Sequence, residues 1–264
     1  MACLFSVISQ AAADAKENIR QQGQWYGYWG WNRAQYSDSD IHFKGDDHNF
    51  TLHNTAAQDR QNEVTPSSVF DRYLNPANLT IPQYNYRVGY FVADDWAISL
   101  GFDHMKYVVE QGQVVGMSGT ISTPGFEKSD PALEDKEIDG DFLNFEHTDG
   151  LNMISIETEY FHSLWNYGKD FDFALFTGIG LGAMVPKTNV KMLNYERNDE
   201  FHLAGYATSV KGGFEFTFFH NWFFRGLVKF GYTNLGDVLT TNQGATASQS
   251  FYFEEYIGAV GYRF

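Results

Sequence analysis

A single cysteine, Cys3, rules out an internal disulfide framework and any CxxC or zinc-ribbon pattern. Proline is scarce, six in 264 residues, so long segments are free of the residue that cannot donate to a strand ladder. No stretch approaches the roughly 18 consecutive apolar residues that a membrane-crossing helix requires. Basic residues are outnumbered: 18 Lys and Arg against 33 Asp and Glu give a net charge of -15. A basic surface for nucleic acid is therefore not expected. Aromatic residues, by contrast, make up 17% of the chain, as 24 Phe, 16 Tyr and 6 Trp beside 25 Gly. That composition suits a β-rich chain of long strands.

Alternation with period two carries the fold expectation. It recurs over 24–36, 82–92, 96–110, 152–164, 171–185, 203–218, 222–233 and 251–264. These eight segments are longer than ordinary globular strands. Short turns ("ADD", "WNYGKD", "FHNW") join them at one end, and long polar stretches, chiefly 37–80 and 112–150, at the other. The fold class expected is all-β: an eight-stranded antiparallel up-and-down transmembrane barrel over residues 24–264, with both termini on the short-turn side. "DIHF" and "NFTLH" in the first long loop read as local strands. Residues 1–23 form an N-terminal segment. "ACLFSVIS" before "QAAADA" is either the end of a secretory signal, with an A-x-A site at Ala11 to Ala13, or an ordinary stretch entering a short helix.

The phase of the alternation assigns a solvent to each face. Val210, Phe214, Phe216 and Phe218 share one face of their segment; Lys211, Glu215 and Thr217 share the other. Ile154 and Ile156 likewise alternate with Ser155, Glu157 and Glu159. A basic residue facing lipid at mid-bilayer costs about 2–4 kcal/mol. The charges are therefore expected inside and the Phe-rich face against lipid, with Trp25, Tyr26, Trp96, Trp165, Phe218, Trp222 and Phe264 as interfacial girdles. The final stretch, with Tyr256, Gly258, Val260, Tyr262 and Phe264 at alternate positions, resembles the C-terminal signal of bacterial outer-membrane proteins. The whole 24–264 region resembles the eight-stranded class that includes OmpA-type, OmpX-type and OmpW-type barrels. That resemblance implies a Gram-negative outer-membrane location and periplasmic termini. It also implies contact with lipid and lipopolysaccharide, and insertion by the barrel-assembly machinery.

Three groups of residues could carry chemistry. Arg87, Asp103, Glu157, Glu159, Lys211, Glu215, Arg225, Lys229, Glu255 and Arg263 fall on the inward phase. Eight strands leave room for side chains and little else, so these charges are expected to pair into a plug; a gap among them would make a conduit. "DKEIDGDFLNFE" approaches the spacing of a calcium loop, with Asp135, Glu137, Asp139, Asp141 and Glu146 as oxygen donors and Gly140 at the turn. Glu137 departs from that pattern, and a solvated acidic loop is the plainer reading. His104 and Lys106 follow an outward phase toward the outer headgroups, where they could meet lipopolysaccharide phosphates. His42, His48 and His53 crowd the first loop with no metal-imposing spacing.

The function expected is non-enzymatic: an outer-membrane barrel with a salt-bridged lumen and acidic surface loops, in a structural role or binding a partner outside the cell. The alternatives are a small OmpW-like channel and an enzyme that hydrolyses or transfers acyl chains of lipid A. No cofactor is expected beyond possible Ca²⁺.

Overall fold

The computed structural model describes residues 18–60, 65, 83–147, 149–198 and 200–264. The signal or helix considered for the first 17 residues, and much of the first long loop, lie outside the described residues. Those described carry sixteen strands. In chain order they are β1 (Trp25–Tyr36), β2 (Ser39–Lys44), β3 (His48–Thr55), β4 (Ala57–Gln58), β5 (Tyr84–Ala93) and β6 (Trp96–Met105). Then come β7 (Val108–Val109), β8 (Val114–Ile121), β9 (Glu134–Glu137), β10 (Leu143–Glu146) and β11 (Leu151–Tyr167). The last five are β12 (Phe171–Met184), β13 (Asn189–Met192), β14 (Gly205–Phe218), β15 (Trp222–Leu239) and β16 (Thr246–Arg263).

Eight of these close the expected barrel in the order β1-β5-β6-β11-β12-β14-β15-β16, and β16 pairs back onto β1. Closure runs antiparallel from Tyr26 opposite Arg263 to Tyr36 opposite Phe253. At its end Trp25 and Phe264 exchange backbone hydrogen bonds of 2.9 Å. A closed sheet satisfies every ladder without an edge, which is the condition for strands to lie in hydrocarbon. Among the described residues no helix is long and apolar enough to cross a membrane.

The wall keeps the phase read from the sequence. Leu100, Ile156, Ile179, Leu181 and Val210 stand exposed on the outside, each more than half uncovered, while the charged residues between them are buried. Trp25, Trp96, Trp165, Trp222 and Phe264 ring the short-turn end on the same outer face. Tyr26 departs from the expected girdle. Its ring is fully buried in the lumen, because it occupies the phase opposite Trp25 and its hydroxyl donates to the Glu159 carboxylate.

Above the barrel the described parts of the long connections are folded rather than loose. β15 and β16 continue past the barrel to Leu239 and from Thr246, and β2, β3, β8 and β9 add to the extension of β16. A second sheet, β13-β10-β7-β4, completes a cap. Its core includes Ile41, Phe43, Phe50, Phe142, Phe145 and Val238. Phe43 stacks on Phe50 at 5.0 Å between centroids and meets Phe145 edge-on at 5.7 Å.

Candidate functional site

All ten inward charges of the sequence reading are buried, none more than 4% exposed. They form three tiers. Nearest the cap, Lys229 Nζ lies 2.5 Å from Asp103, 3.1 Å from Glu157 and 3.7 Å from Glu255. In the middle, Arg87 reaches Glu157 at 2.8 Å and the Tyr28 hydroxyl at 3.0 Å, and Lys211 bridges Glu157 and Glu159. At the short-turn mouth, Glu215 receives three arginines: Arg225 at 2.7 Å, Arg263 at 2.7 Å and Arg20 at 2.9 Å.

Two members of this network are absent from the sequence reading. Arg20 lies ahead of the first strand, where no alternation exists to give it a phase. The segment before β1 turns back across the mouth, with Arg20 O accepting from Asp95 N at 3.0 Å. The guanidinium thereby enters the lumen and meets Asp172 at 2.6 Å. Asp172 sits one residue inside β12 and accepts from the Ser163 hydroxyl as well. The buried lumen then holds six cations (Arg20, Arg87, Lys211, Arg225, Lys229, Arg263) and six anions (Asp103, Glu157, Glu159, Asp172, Glu215, Glu255). Basic and acidic side chains are equal in number, as expected where an unpaired ion is the costly alternative.

The lumen is not purely ionic. Tyr26, Phe91, Phe161, Phe176 and Phe223 point inward around the arginines. The Arg225 guanidinium carbon lies 4.5 Å from the Tyr26 ring centroid, 4.8 Å from Phe223 and 4.9 Å from Phe161. Glycine makes the space: a Cβ at Gly101 would lie 2.4 Å from the Arg87 guanidinium, and one at Gly89 would lie 2.2 Å from the Tyr26 ring.

The calcium loop is corrected by the structure. Asp135 and Glu137 lie in β9, where they pair with Gly116 and Val114. Asp139 Oδ1 accepts the backbone N–H groups of Asp141 and Phe142 at 3.1 and 2.8 Å, forming a local turn. Glu146 lies in β10, where Asn189 at 2.7 Å and Arg60 at 3.2 Å occupy its carboxylate. An extended strand at the first positions and a consumed carboxylate at the last prevent the donors from converging. Among the described residues, no group of three or more His, Cys, Asp or Glu side chains could hold a metal ion.

His104 stands on the outer rim as its phase required, stacked on Tyr84 at 4.9 Å with its Nδ1 2.8 Å from Asn152 Oδ1. Lys106 follows β6, and its carbonyl accepts from the Tyr36 hydroxyl at 2.7 Å. Tyr256, Val260 and Tyr262 face outward along β16, with Gly258 between them, and Phe264 is exposed just past its end.

In the cap, Asp47 accepts from Thr123 at 2.6 Å, from the Tyr195 hydroxyl, and contacts His48 at 2.9 Å. Although burial opposes it, these three partners hold the Asp47 carboxyl at about 2. His147, fully buried between Tyr107, Phe145 and Thr188, has its affinity for a proton lowered by desolvation to about 3. It is neutral in the folded cap.

No family model matches the chain, and no curated protein matches it. Solved structures do. The outer membrane protein OprG of Pseudomonas aeruginosa aligns over 93% of this chain and 97% of its own, at 11% identity and a TM-score of 0.43. What the alignment shares with this chain is the architecture already described, an eight-stranded antiparallel β-barrel closed by β16 on β1. The N-terminal β-barrel domain of Pseudomonas aeruginosa OprF aligns over 92% and 99%, at 11% identity and a TM-score of 0.33. Ail, the attachment invasion locus protein of Yersinia pestis, solved with the heparin analogue sucrose octasulfate, aligns over 92% and 99%, at 10% identity and a TM-score of 0.32.

Proposed function

We propose that this protein is a closed bacterial outer-membrane barrel that acts through its extracellular cap, by contact with a partner outside the cell, and not by passing solute. The observation that carries this reading is the lumen. Six buried cations face six buried anions, and an apolar core lies directly above them. An ion crossing that path would have to part the pairs and then leave water for hydrocarbon-like packing. The acidic balance of the chain favours a basic or neutral partner for the cap. Both termini belong on the periplasmic side in this reading. The residues of the final strand, Tyr256, Gly258, Val260, Tyr262 and Phe264, present the pattern on which the barrel-assembly machinery acts. His104 and Lys106 are assigned to lipopolysaccharide headgroups at the rim.

Planar-bilayer recording tests the proposal. Purified protein should insert without steady conductance at neutral pH. Reproducible ohmic steps that grow with salt would favour the small channel instead.

A further inference from the structure

The outer face of the cap sheet carries an arrangement that neither the barrel nor the partner-binding reading uses. β2, β3 and β8 lie side by side, with Ile41, Phe43, Phe50, Leu52, Val115 and Met117 turned into the cap core. The opposite phase faces water. On that face His53 Nε2 lies 2.8 Å from Ser118 Oγ, and His53 Nδ1 lies 3.1 Å from Asp40 Oδ2. One ring thus joins a hydroxyl and a carboxylate through its two different nitrogens, drawn from three strands.

We infer that Asp40, His53 and Ser118 form a nucleophilic triad, and that the cap carries a serine-dependent activity toward carboxylic esters. The tautomer is set by chemistry. An ionised carboxylate can only accept, so Nδ1 carries the ring proton and Nε2 is left to accept from Ser118. That is the state in which a histidine serves as general base to a serine. Asp40 is itself fixed: its other oxygen accepts the Asn54 N–H at 2.9 Å. Together with His53, that bond keeps the Asp40 carboxyl below the usual range. Thr51 stands directly opposite Ser118, and its hydroxyl is held by His42 Nδ1 at 3.0 Å. In the tautomer in which His42 Nδ1–H donates to it, the Thr51 hydroxyl keeps its own proton for the developing oxyanion. Leu133, 68% exposed, leans over Gly116 beside His53 and offers an apolar rest for a short acyl group.

Two other Asp–His contacts lack these features. Asp47–His48 is sealed, with the His48 side chain 1% exposed. His202–Asp237 has no hydroxyl on its other ring nitrogen among the described residues. At His53 the side chain is 37% exposed, so a substrate can reach it.

In the reaction, Ser118 Oγ bonds to the ester carbonyl carbon as its proton passes to His53 Nε2. The C–O bond to the alcohol breaks and the alcohol leaves with that proton. Water then attacks the acyl-serine, gives a proton to Nε2, and releases the acid as the proton returns to Ser118. Ser118 and His53 are the catalytic residues here, and Asp40 is a positioning residue.

The inference is independent of whether the lumen conducts. The full-length protein in detergent micelles is treated with a fluorophosphonate and digested, and hydrolysis of p-nitrophenyl butyrate is followed in parallel. The expected result is a covalent adduct on Ser118 that His53→Gln abolishes. Turnover should fall on the order of 10²-fold in Ser118→Ala and His53→Gln, with unchanged melting. Asp40→Asn should alter the pH profile of the rate, and Asp40→Glu should restore part of it. No adduct at Ser118, an adduct indifferent to His53→Gln, or equal turnover in Ser118→Ala would overturn the assignment.

Discussion

Glu215 shows what a single residue does in this lumen. Its carboxylate accepts from Arg20, Arg225 and Arg263. Replacing it with Gln keeps the shape and removes the charge all three share. Removing one partner of a buried ion network typically costs about 3–5 kcal/mol, so Glu215→Gln should lower the midpoint of urea unfolding markedly. An unchanged midpoint would mean that water, and not Glu215, stabilises the arginines. The ten charges first assigned to the interior were legible because each sits in a strand whose phase is visible on both sides. Arg20 was not, since nothing in "NIRQQ" tells which way a side chain outside a strand will point. Tyr26 was misplaced for a related reason: next to Trp25 it reads as part of a girdle, whereas the pleat sends adjacent residues to opposite faces.

A second residue-scale consequence concerns acid. His147 is neutral in the cap with a pKa of about 3, against about 6.5 for an unstrained imidazole. The unfolded cap therefore binds more protons as pH falls from 6.5 towards 3, and stability falls with it, by at most about 1.4 kcal/mol per pH unit. Asp47, held at about 2, adds a loss of the same sign below its usual value. Melting followed from pH 7 to pH 4 should drop steeply in the wild type and more gently in His147→Gln. Equal slopes would remove His147 as the source.

At the scale of elements, the barrel strands were legible, and so were the cap strands β2 and β3, which contain "DIHF" and "NFTLH"; the rest of the cap was not. Long, strictly alternating runs such as Met153 to Leu164 leave little choice of register. The outer ends of β15 and β16 fall outside the alternating segments 222–233 and 251–264 because the stretch between them, "NLGDVLTTNQGATASQS", is small and polar. A register irregularity between Leu235 and Val238 also breaks its alternation. The calcium motif failed at this scale too. Spacing in a sequence carries metal geometry only if the backbone coils, and the backbone of Glu134–Glu137 is extended. The cap core runs down onto the outer ends of the barrel strands, through Met105, Met153 and Met184, and is distinct from the aromatic cluster deeper in the lumen. Phe43→Ala removes a ring packed on Phe50 and Phe145, at about 3–5 kcal/mol. Limited proteolysis of that variant should cut between β2 and β3 while leaving the barrel strands β11, β12 and β14 protected. Cleavage spread equally through the barrel would show instead that the two parts fold as one.

The whole molecule is a sheet rolled so that the same two-residue period meets two solvents. Outside, Leu100, Ile156, Leu181 and Val210 form an exposed apolar band; inside, balanced ions fill the space that eight strands enclose. Closure of the lumen and the place of the cap outside the membrane depend on that assignment. Site-directed spin labelling measures it directly. In a Cys3→Ser background reconstituted in vesicles, nitroxides at positions 100, 156, 181 and 210 should collide with dissolved oxygen and be shielded from a water-soluble nickel chelate. If the nickel chelate quenched these four sites while oxygen did not, the apolar face would be in water and the account would fail.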